Sequence, residues 1–208
     1  GLTGKNTMML NNTLNNFATL SDQSLLIKKL RFIKSDQEIE YVKKAAELAD
    51  NALKKAWELS HPGMDESKIL SAMQAEILSG GGDYPGNEFI IGSGPDALLC
   101  RYFSGRRKLD EIDQLTLEFA GVYRHYHSAL MRTIPIGKAK QEHLELHEIC
   151  LETLQACEKY LKHGNSFADV FEQHRLTIDK TKYKSARLNA CGYSLGATFA
   201  PTWMDWPM

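Results

Sequence analysis

The chain has 208 residues, with 25 Lys and Arg against 26 Asp and Glu, for a formal net charge of −1. This balance gives no electrostatic reason to bind nucleic acid or an anionic membrane surface. The sequence contains no run of about 18 apolar residues, so it predicts no membrane-spanning helix. The length suits one sizeable core or at most two small domains, so we expect a soluble globular protein.

The cysteine pattern indicates a reducing compartment. Cys100, Cys150, Cys157 and Cys191 form no CxxC pair, which argues against a structural zinc site. The opening residues also lack the basic flank and apolar run of a signal peptide. We therefore expect a cytoplasmic protein with reduced thiols, none of them a candidate nucleophile. Both ends of the sequence read as interrupted, which predicts a fragment of a longer protein.

Two helices are predicted in the first half of the chain. Ser35 followed by Glu38 is a capping-box pattern, and apolar residues recur after it with a helical period. The His-Pro-Gly sequence at 61–63 ends this helix. A second helix begins at Met64 or Asp65, and a glycine triplet then breaks the chain.

A strand and a hairpin are predicted next. Phe89–Gly92 reads as the strand, and Leu115, Leu117 and Phe119 alternate with polar residues in the first arm of the hairpin. This alternation puts Glu118 on the opposite face. We place the turn near residues 120–121 and the return strand over roughly 123–134. Its alternate residues share one face: His125, His127, Ala129 and Met131.

The last third of the sequence predicts two more helices and a tight turn. The helices cover Gln141–Lys162 and a segment that begins at Ser166. Asn189–Ala200 is rich in small residues, as is typical of a turn that closely approaches another element. The order of elements predicts an α+β fold, with helices on one side of a mostly antiparallel sheet.

Five of these segments together resemble the creatinase/Xaa-Pro aminopeptidase family, also called M24. The resemblance runs through the entry-helix, "pG", "S-D-x-x-R-T" and "GHGIG" motifs of that family and the loop before its first active-site histidine. The matching segments are residues 31–38, 61–63, 91–96, 132–133 and 192–196. The order and spacing agree over roughly residues 25–205.

The resemblance implies the pita-bread fold, in which a curved antiparallel sheet carries helices on its outer face. It implies homodimers and a separate N-terminal domain. Residues 1–24 would then be the end of that missing domain and its linker. Residues 25–208 would be the catalytic domain, truncated at its C-terminal end.

The departures from the family pattern concern its metal ligands. Two aspartates eleven residues apart are replaced by Glu118 and Ala129. Tyr193 stands for the ligand histidine of the GHGIG turn, and Arg101 for the histidine expected after GPDALLC. The residues at 200–201 replace a usual His-Glu pair. Alanine is no ligand and tyrosine is a poorer one than imidazole, so we predict no catalytic metal and no cofactor.

Among metal-independent branches, the ectoine hydrolase branch is the more similar, through residues 191–207. Creatinases have a histidine at Arg101 and a glutamate at Met131, and both differences count against creatine. The resemblance therefore predicts a hydrolase that opens a small zwitterionic cyclic amidine, converting ectoine to N-acetyl-diaminobutyrate. An Xaa-Pro metallopeptidase, a creatinase-like enzyme and an inactive binding domain are the alternatives.

For this chemistry we assign Glu118 as nucleophile or general base and Tyr193 as proton donor. Arg101 would bind the substrate carboxylate through two hydrogen bonds. Trp203 and Trp206 would form an aromatic wall for the cation, and His127 lies within reach. The alternative roles are structural. In these roles Glu118 is a solvated strand residue, Arg101 a surface or interface arginine and Tyr193 a space-filling side chain. Trp203 and Trp206 are anchors in the core or an interface, and His127 is a half-buried histidine.

Overall fold

The computed structural model describes residues 2–98 and 106–207. Its helices are α1 (Gly4–Leu14), α2 (Ser24–Leu30), α3 (Asp36–Leu59), α4 (Glu66–Ser79), α5 (Gln141–Tyr160) and α6 (Phe167–Ile178). Its strands are β1 (Ile90–Ser93), β2 (Asp113–Tyr123), β3 (Tyr126–Ile136), β4 (Tyr193–Ser194) and β5 (Trp206–Pro207). Two 3-10 helices cover Gly94–Leu98 and Lys184–Ala186. Among the described helices, none combines the length and apolar character needed to cross a membrane.

Contacts divide the chain into two compact units, with the division between Lys34 and Ser35. The first unit contains α1 and α2, and the Thr3 hydroxyl caps α1 by accepting the Asn6 N–H at 3.3 Å. The division falls later in the chain than the predicted boundary at residue 24, which lies at the start of α2. The assignment of residues 1–24 to the end of another domain stays a prediction.

The long helix α3 begins at the predicted capping box. The Ser35 hydroxyl accepts the Glu38 N–H at 3.3 Å, and the Glu38 carboxylate accepts the Ser35 N–H at 2.7 Å. Both contacts satisfy amide groups that would otherwise lack a partner in the first helical turn. The helix ends at Leu59, just before the His-Pro-Gly sequence that predicted its end. Its fully buried residues are small: Ala45, Ala49, Ala52 and Ala56.

The main sheet has three antiparallel strands in the order β1-β2-β3. Leu115, Leu117 and Phe119 are buried on the face of β2 that joins the hydrophobic core, as their alternation predicted. The Phe119 ring lies 5.7 Å from the Phe89 ring, which connects the core to the segment before β1. Helices and an antiparallel sheet together confirm the predicted α+β class.

The predicted position of the hairpin turn is wrong. The turn is formed by Arg124 and His125, whose φ angles of 52° and 64° are the positive values of a two-residue type I′ turn. Gly121 lies inside β2, where a Cβ would come within 2.0 Å of the Ala45 carbonyl oxygen. Its glycine therefore serves the close approach of α3 to the sheet. Consequently β3 begins at Tyr126, and His125 lies in the turn rather than on the strand face.

A buried polar cluster joins α4, β1 and β2. The Ser93 hydroxyl donates to the Glu66 carboxylate and accepts from the Arg107 guanidinium at 2.8 Å, and both Ser93 and Glu66 are fully buried. Arg107 also forms ion pairs with Asp110 and Asp113. Burial opposes ionisation of Asp113, but its hydrogen bonds from the Asp110 N–H and from Arg107 outweigh that cost and lower its pKa.

Candidate functional site

The strand register brings the substituted ligand positions onto one face of the sheet. Glu118 is paired with Met131 and Ala129 with Ala120, so Glu118 and Ala129 are diagonal neighbours across β2 and β3. Diagonal neighbours on one face of an antiparallel pair lie about 7–8 Å apart, within reach of a common ligand. This face is the one opposite the Leu115–Phe119 core face. Glu118 is half-buried on this face, and its carboxylate is at the position where the sequence predicted a functional group.

Tyr193 and Trp203 form the second part of the site. The Trp203 indole N–H donates a hydrogen bond of 2.9 Å to the Tyr193 hydroxyl oxygen. Trp203 is 2% exposed and belongs to the hydrophobic core, against which Tyr193 also packs. Because an indole nitrogen can only donate, the phenol oxygen is the acceptor in this bond. The Tyr193 O–H thus keeps its own proton for another acceptor.

The protonation state of Tyr193 follows from its surroundings. Burial raises the pKa of the Tyr193 phenol above its ordinary value of 10.0, and the Trp203 hydrogen bond offsets part of that effect. The negative charge of Glu118 raises the pKa further. Tyr193 is therefore a neutral phenol over the physiological range, and it lies close enough to Glu118 for the two groups to interact electrostatically.

His127 is fully buried, and hydrogen bonds within the protein hold both of its ring nitrogens. Its Nε2 accepts the Gly86 N–H at 2.8 Å, and its Nδ1 lies 3.0 Å from the Thr198 hydroxyl. His127 is thus more deeply buried than the half-buried histidine that the sequence allowed as its alternative role. To contact a substrate through nitrogen, His127 would have to give up one of these two bonds.

Of the two remaining predicted site residues, Trp206 and Arg101, the described residues include only Trp206. Trp206 is paired with Ser194 in the β4-β5 ladder, and adjacent strand residues point to opposite faces. Trp206 therefore lies on the other face of that ladder from Tyr193. Arg101 lies outside the described residues, as does Cys100.

Two of the described cysteines are favoured as neutral thiols. Burial raises the pKa of the Cys157 and Cys191 thiols above the ordinary value of 9.0. A raised pKa disfavours the thiolate, which is the nucleophilic form. Cys150, Cys157 and Cys191 form no disulfide.

The described residues do not fit the dinuclear metal centre that the resemblance would otherwise imply. On the sheet face, Glu118 is paired with Met131 and Ala129 with Ala120, so one carboxylate stands where two are needed. The Tyr193 oxygen accepts an indole N–H. Within residues 2–98 and 106–207, no group of three or more His, Cys, Asp or Glu is arranged to hold an ion.

Sequence reasoning did not find the contact between Gly86 and His127. These residues are 41 positions apart, and an added Cβ on Gly86 would come within 2.3 Å of the Thr202 carbonyl oxygen. The Pro-Gly sequence at 85–86 is a local turn signal, but it does not show which element the glycine approaches. Thr198 is likewise 71 residues from His127, and no local pattern predicts their hydrogen bond.

The chain is similar to proteins of two activities. It is 28% identical to an ectoine hydrolase from Halomonas elongata over 89% of this chain and 49% of that protein. It is 27% identical to an Xaa-Pro dipeptidase from Pyrococcus furiosus over 88% of this chain and 51% of that protein. The chain spans about half the length of the curated relatives it matches.

The fold matches solved structures of prolidases. The prolidase from Pyrococcus horikoshii superimposes with a TM-score of 0.89 at 23% identity, covering 100% of this chain and 60% of that one. The prolidase from Pyrococcus furiosus gives 0.87 at 24% identity, covering 99% and 61%. The predicted pita-bread fold is therefore confirmed. The sequence model of metallopeptidase family M24 matches residues 40–204, which is most of the chain. The chain therefore belongs to metallopeptidase family M24.

Proposed function

We propose that the protein hydrolyses a carbon–nitrogen bond of a small cyclic amidine, ectoine, and that it does so without a catalytic metal ion. The observation that carries this proposal is the position of the half-buried Glu118 on the β2 face, close enough to the neutral Tyr193 phenol for its charge to raise the pKa of the phenol. The similarity to an ectoine hydrolase from Halomonas elongata supports the choice of substrate.

Ectoine presents two charges and one reactive carbon. It is a cyclic amidinium that bears a carboxylate. Hydrolysis adds the oxygen of water to the amidine carbon and breaks one of its two bonds to ring nitrogen. The released nitrogen takes a proton and becomes an amine, and the former amidine carbon becomes the carbonyl of an acetamide. The reaction therefore needs a nucleophile or base for the carbon and a proton donor for the departing nitrogen.

Glu118 supplies the first requirement in this proposal. Its carboxylate pairs with the amidinium charge and then either attacks the carbon or removes a proton from the attacking water. Its half-buried position on the β2 face strengthens that pairing, because electrostatic attraction grows as water is excluded. The main chain on both sides is fixed, since Glu118 is paired with Ile90 of β1 and Met131 of β3.

Tyr193 supplies the second requirement. A phenol donates a proton only when it is neutral, and burial together with Glu118 keeps it neutral. The hydrogen bond from Trp203 fixes the orientation of the hydroxyl oxygen and leaves its proton for the substrate nitrogen. The proton on Tyr193 is then restored from solvent after the ring has opened and the product has left.

The other substrate contacts remain predictions. Arg101 would bind the ectoine carboxylate, and Trp203 would serve the site through Tyr193 rather than as an open wall, because it is almost fully buried. Roles for His127 and Trp206 in substrate binding stay predictions too, as do a homodimer and a cytoplasmic location.

An Xaa-Pro dipeptidase is the second candidate. The observation that favours it is an identity to the Pyrococcus furiosus enzyme of 27%, almost equal to that of the ectoine hydrolase. The residues around Glu118 count against a dipeptidase activity, because a metallopeptidase would need further metal ligands on this face of the sheet. A creatinase-like activity is disfavoured by Met131, and an inactive binding domain would not need a carboxylate and a neutral phenol close enough to interact electrostatically.

A panel of substrates separates these candidates. The full-length protein is incubated with ectoine, creatine or an Xaa-Pro dipeptide, and the products are identified by mass spectrometry. The proposal predicts a mass gain of one water on ectoine alone. Cleavage of the dipeptide with no reaction on ectoine would contradict it and support the second candidate.

A further inference from the structure

We propose that His127 is a positioning residue, which as a neutral imidazole holds residues 192–207 against the sheet and thereby places Tyr193 and Trp203 beside Glu118. The inference rests on the proposed site. In this proposal His127 acts on the reaction through the position of Tyr193 and does not contact the substrate itself.

The hydrogen bonds of His127 define its protonation state. The Gly86 N–H is only a donor, so Nε2 at 2.8 Å must carry a lone pair. A neutral imidazole then carries its proton on Nδ1, which donates to the Thr198 hydroxyl oxygen at 3.0 Å. A protonated ring would place an N–H on Nε2 directly against the Gly86 N–H. The observed arrangement therefore requires the neutral Nδ1–H tautomer.

The residues held by His127 belong to the segment that carries the site. Thr198 lies in the middle of residues 192–207, between Tyr193 and Trp203. The same segment is joined to β3 by a backbone bond from the His127 N–H to the Gly196 carbonyl at 3.3 Å, and to the hairpin turn by a bond from the Thr198 N–H to the His125 carbonyl at 3.0 Å. His127 thus provides the side-chain part of one continuous attachment.

Gly86 adds a third element to this attachment. Its Cα lies so close to the Thr202 carbonyl that a Cβ would come within 2.3 Å of the oxygen. The bond from the Gly86 N–H to His127 therefore fixes the loop before β1 against the residue that precedes Trp203. Loss of this bond would loosen both the loop and the segment it supports.

The charges around His127 favour the neutral ring. Burial lowers the pKa of His127 below its ordinary value of 6.5, backbone hydrogen bonds raise it in part, and the smaller electrostatic effects of His125 and Asp83 lower and raise it respectively. Two charged residues belong to other elements. Glu118 of β2 lies on the same face of the sheet as His127, and Asp205 of the 192–207 segment lies against Gly196.

The sign of the pH effect follows from this lowered pKa. The unfolded chain binds a proton at His127 near its ordinary pKa, while the folded chain resists it. The contribution of His127 is therefore complete above pH 6.5. It is lost as the pH falls through the lower folded-state value.

The tautomer is the first test and needs no substrate. A long-range proton–nitrogen NMR spectrum of the ¹⁵N-labelled full-length protein at neutral pH distinguishes the two imidazole tautomers, and His127→Gln assigns the resonances by their disappearance. We expect the Nδ1–H form. An Nε2–H tautomer or a charged ring at neutral pH would overturn the proposal.

Amide exchange is the second test. In the wild type, protection of the Thr198 amide, corrected for the intrinsic exchange rate, should fall by up to roughly tenfold per pH unit as the pH falls from 6.5 to the lower folded-state pKa of His127. His127→Gln keeps an oxygen that can accept the Gly86 N–H but cannot titrate, so its protection should not change with pH in that range. A wild type with constant protection, or a variant that loses it equally, would overturn the proposal.

A matched control removes the neighbouring imidazole. His125→Asn suits the positive φ of the turn and should retain the acid-dependent loss of protection. If ectoine is not the substrate, both tests still stand, so failure of the proposed function and failure of this inference are distinguishable. If ectoine is hydrolysed, kcat of the wild type should decline over the same pH range, and that of His127→Gln should not.

Discussion

The Trp203 indole N–H donates to the Tyr193 hydroxyl oxygen across 2.9 Å, and this bond determines how Tyr193 presents its proton. The indole is held in the core and cannot act as an acceptor, so the phenol is left as a donor. In the proposed mechanism this fixes the acid of the reaction before substrate arrives. In that mechanism, a buried residue without direct contact to substrate would therefore affect catalysis.

Trp203→Phe should lower kcat on ectoine about tenfold, because the ring is kept but the donor that orients Tyr193 is lost. The protein should also lose roughly 1–3 kcal/mol of unfolding free energy, since a smaller ring leaves space in the core. Steady-state kinetics and urea unfolding measure the two effects. Trp57→Phe changes an exposed indole and should alter neither. An unchanged kcat for Trp203→Phe would contradict the orienting role.

The raised pKa of Tyr193 predicts a late titration. Its neutral form is favoured in the folded protein, so its contribution to stability is complete below pH 10.0 and is lost as the pH rises through the higher folded-state value. The near-ultraviolet absorbance of tyrosinate should show Tyr193 among the last phenols to ionise. Burial raises the pKa of Tyr183 as well, and the hydrogen bond to Glu145 adds to that effect.

Single substitutions separate the two phenols. Tyr193→Phe and Tyr183→Phe should each remove one late-titrating group, and only the first should also lower kcat, by about 10²–10⁴-fold. A titration curve that Tyr193→Phe leaves unchanged above pH 10.0 would contradict the assignment.

Glu118→Gln should lower kcat by a factor of about 10³ or more, because an amide neither attacks the amidine carbon nor accepts a proton from water. The substitution keeps the size of the side chain, so the circular dichroism spectrum and the melting temperature should change little. Glu111→Gln, at an exposed position before β2, is the matched control. Substantial turnover by Glu118→Gln would remove Glu118 from the mechanism.

The capping box at Ser35 and the alternation in β2 show what the sequence could predict. Both are local patterns, with partners three residues apart or two residues apart along one strand, and both were confirmed. The turn of the hairpin is wrongly predicted near Gly121. Its role is the absence of a side chain against Ala45, a contact that depends on tertiary structure.

The features of the candidate site also divide into those that a local sequence pattern predicts and those that depend on the fold. The position of Glu118 on its strand face could be predicted from the two-residue period of a strand. The hydrogen bonds of His127 to Gly86 and Thr198 could not, because they join segments that are distant in sequence. The bond between Trp203 and Tyr193 spans only ten residues, but it depends on the fold of residues 192–207.

The tight contact at Gly121 gives a test of the fold itself. Gly121→Ala would place a Cβ 2.0 Å from the Ala45 carbonyl oxygen and 2.6 Å from the Ala49 backbone nitrogen. Because neither atom belongs to a flexible side chain, α3 would have to move away from the sheet. We expect a loss of about 1–3 kcal/mol in unfolding free energy, measured by urea denaturation. Gly4→Ala adds a Cβ with no neighbour within 4 Å and should be close to neutral.

The most direct test of the central claim is ectoine hydrolysis by the full-length protein after exhaustive chelation, with the residual metal content measured on the same sample. The proposal predicts that ring opening continues at the same rate without metal and is not raised when manganese or cobalt is added back. Loss of activity on chelation, with recovery on metal addition, would contradict it and show that the site around Glu118 works as a metal centre.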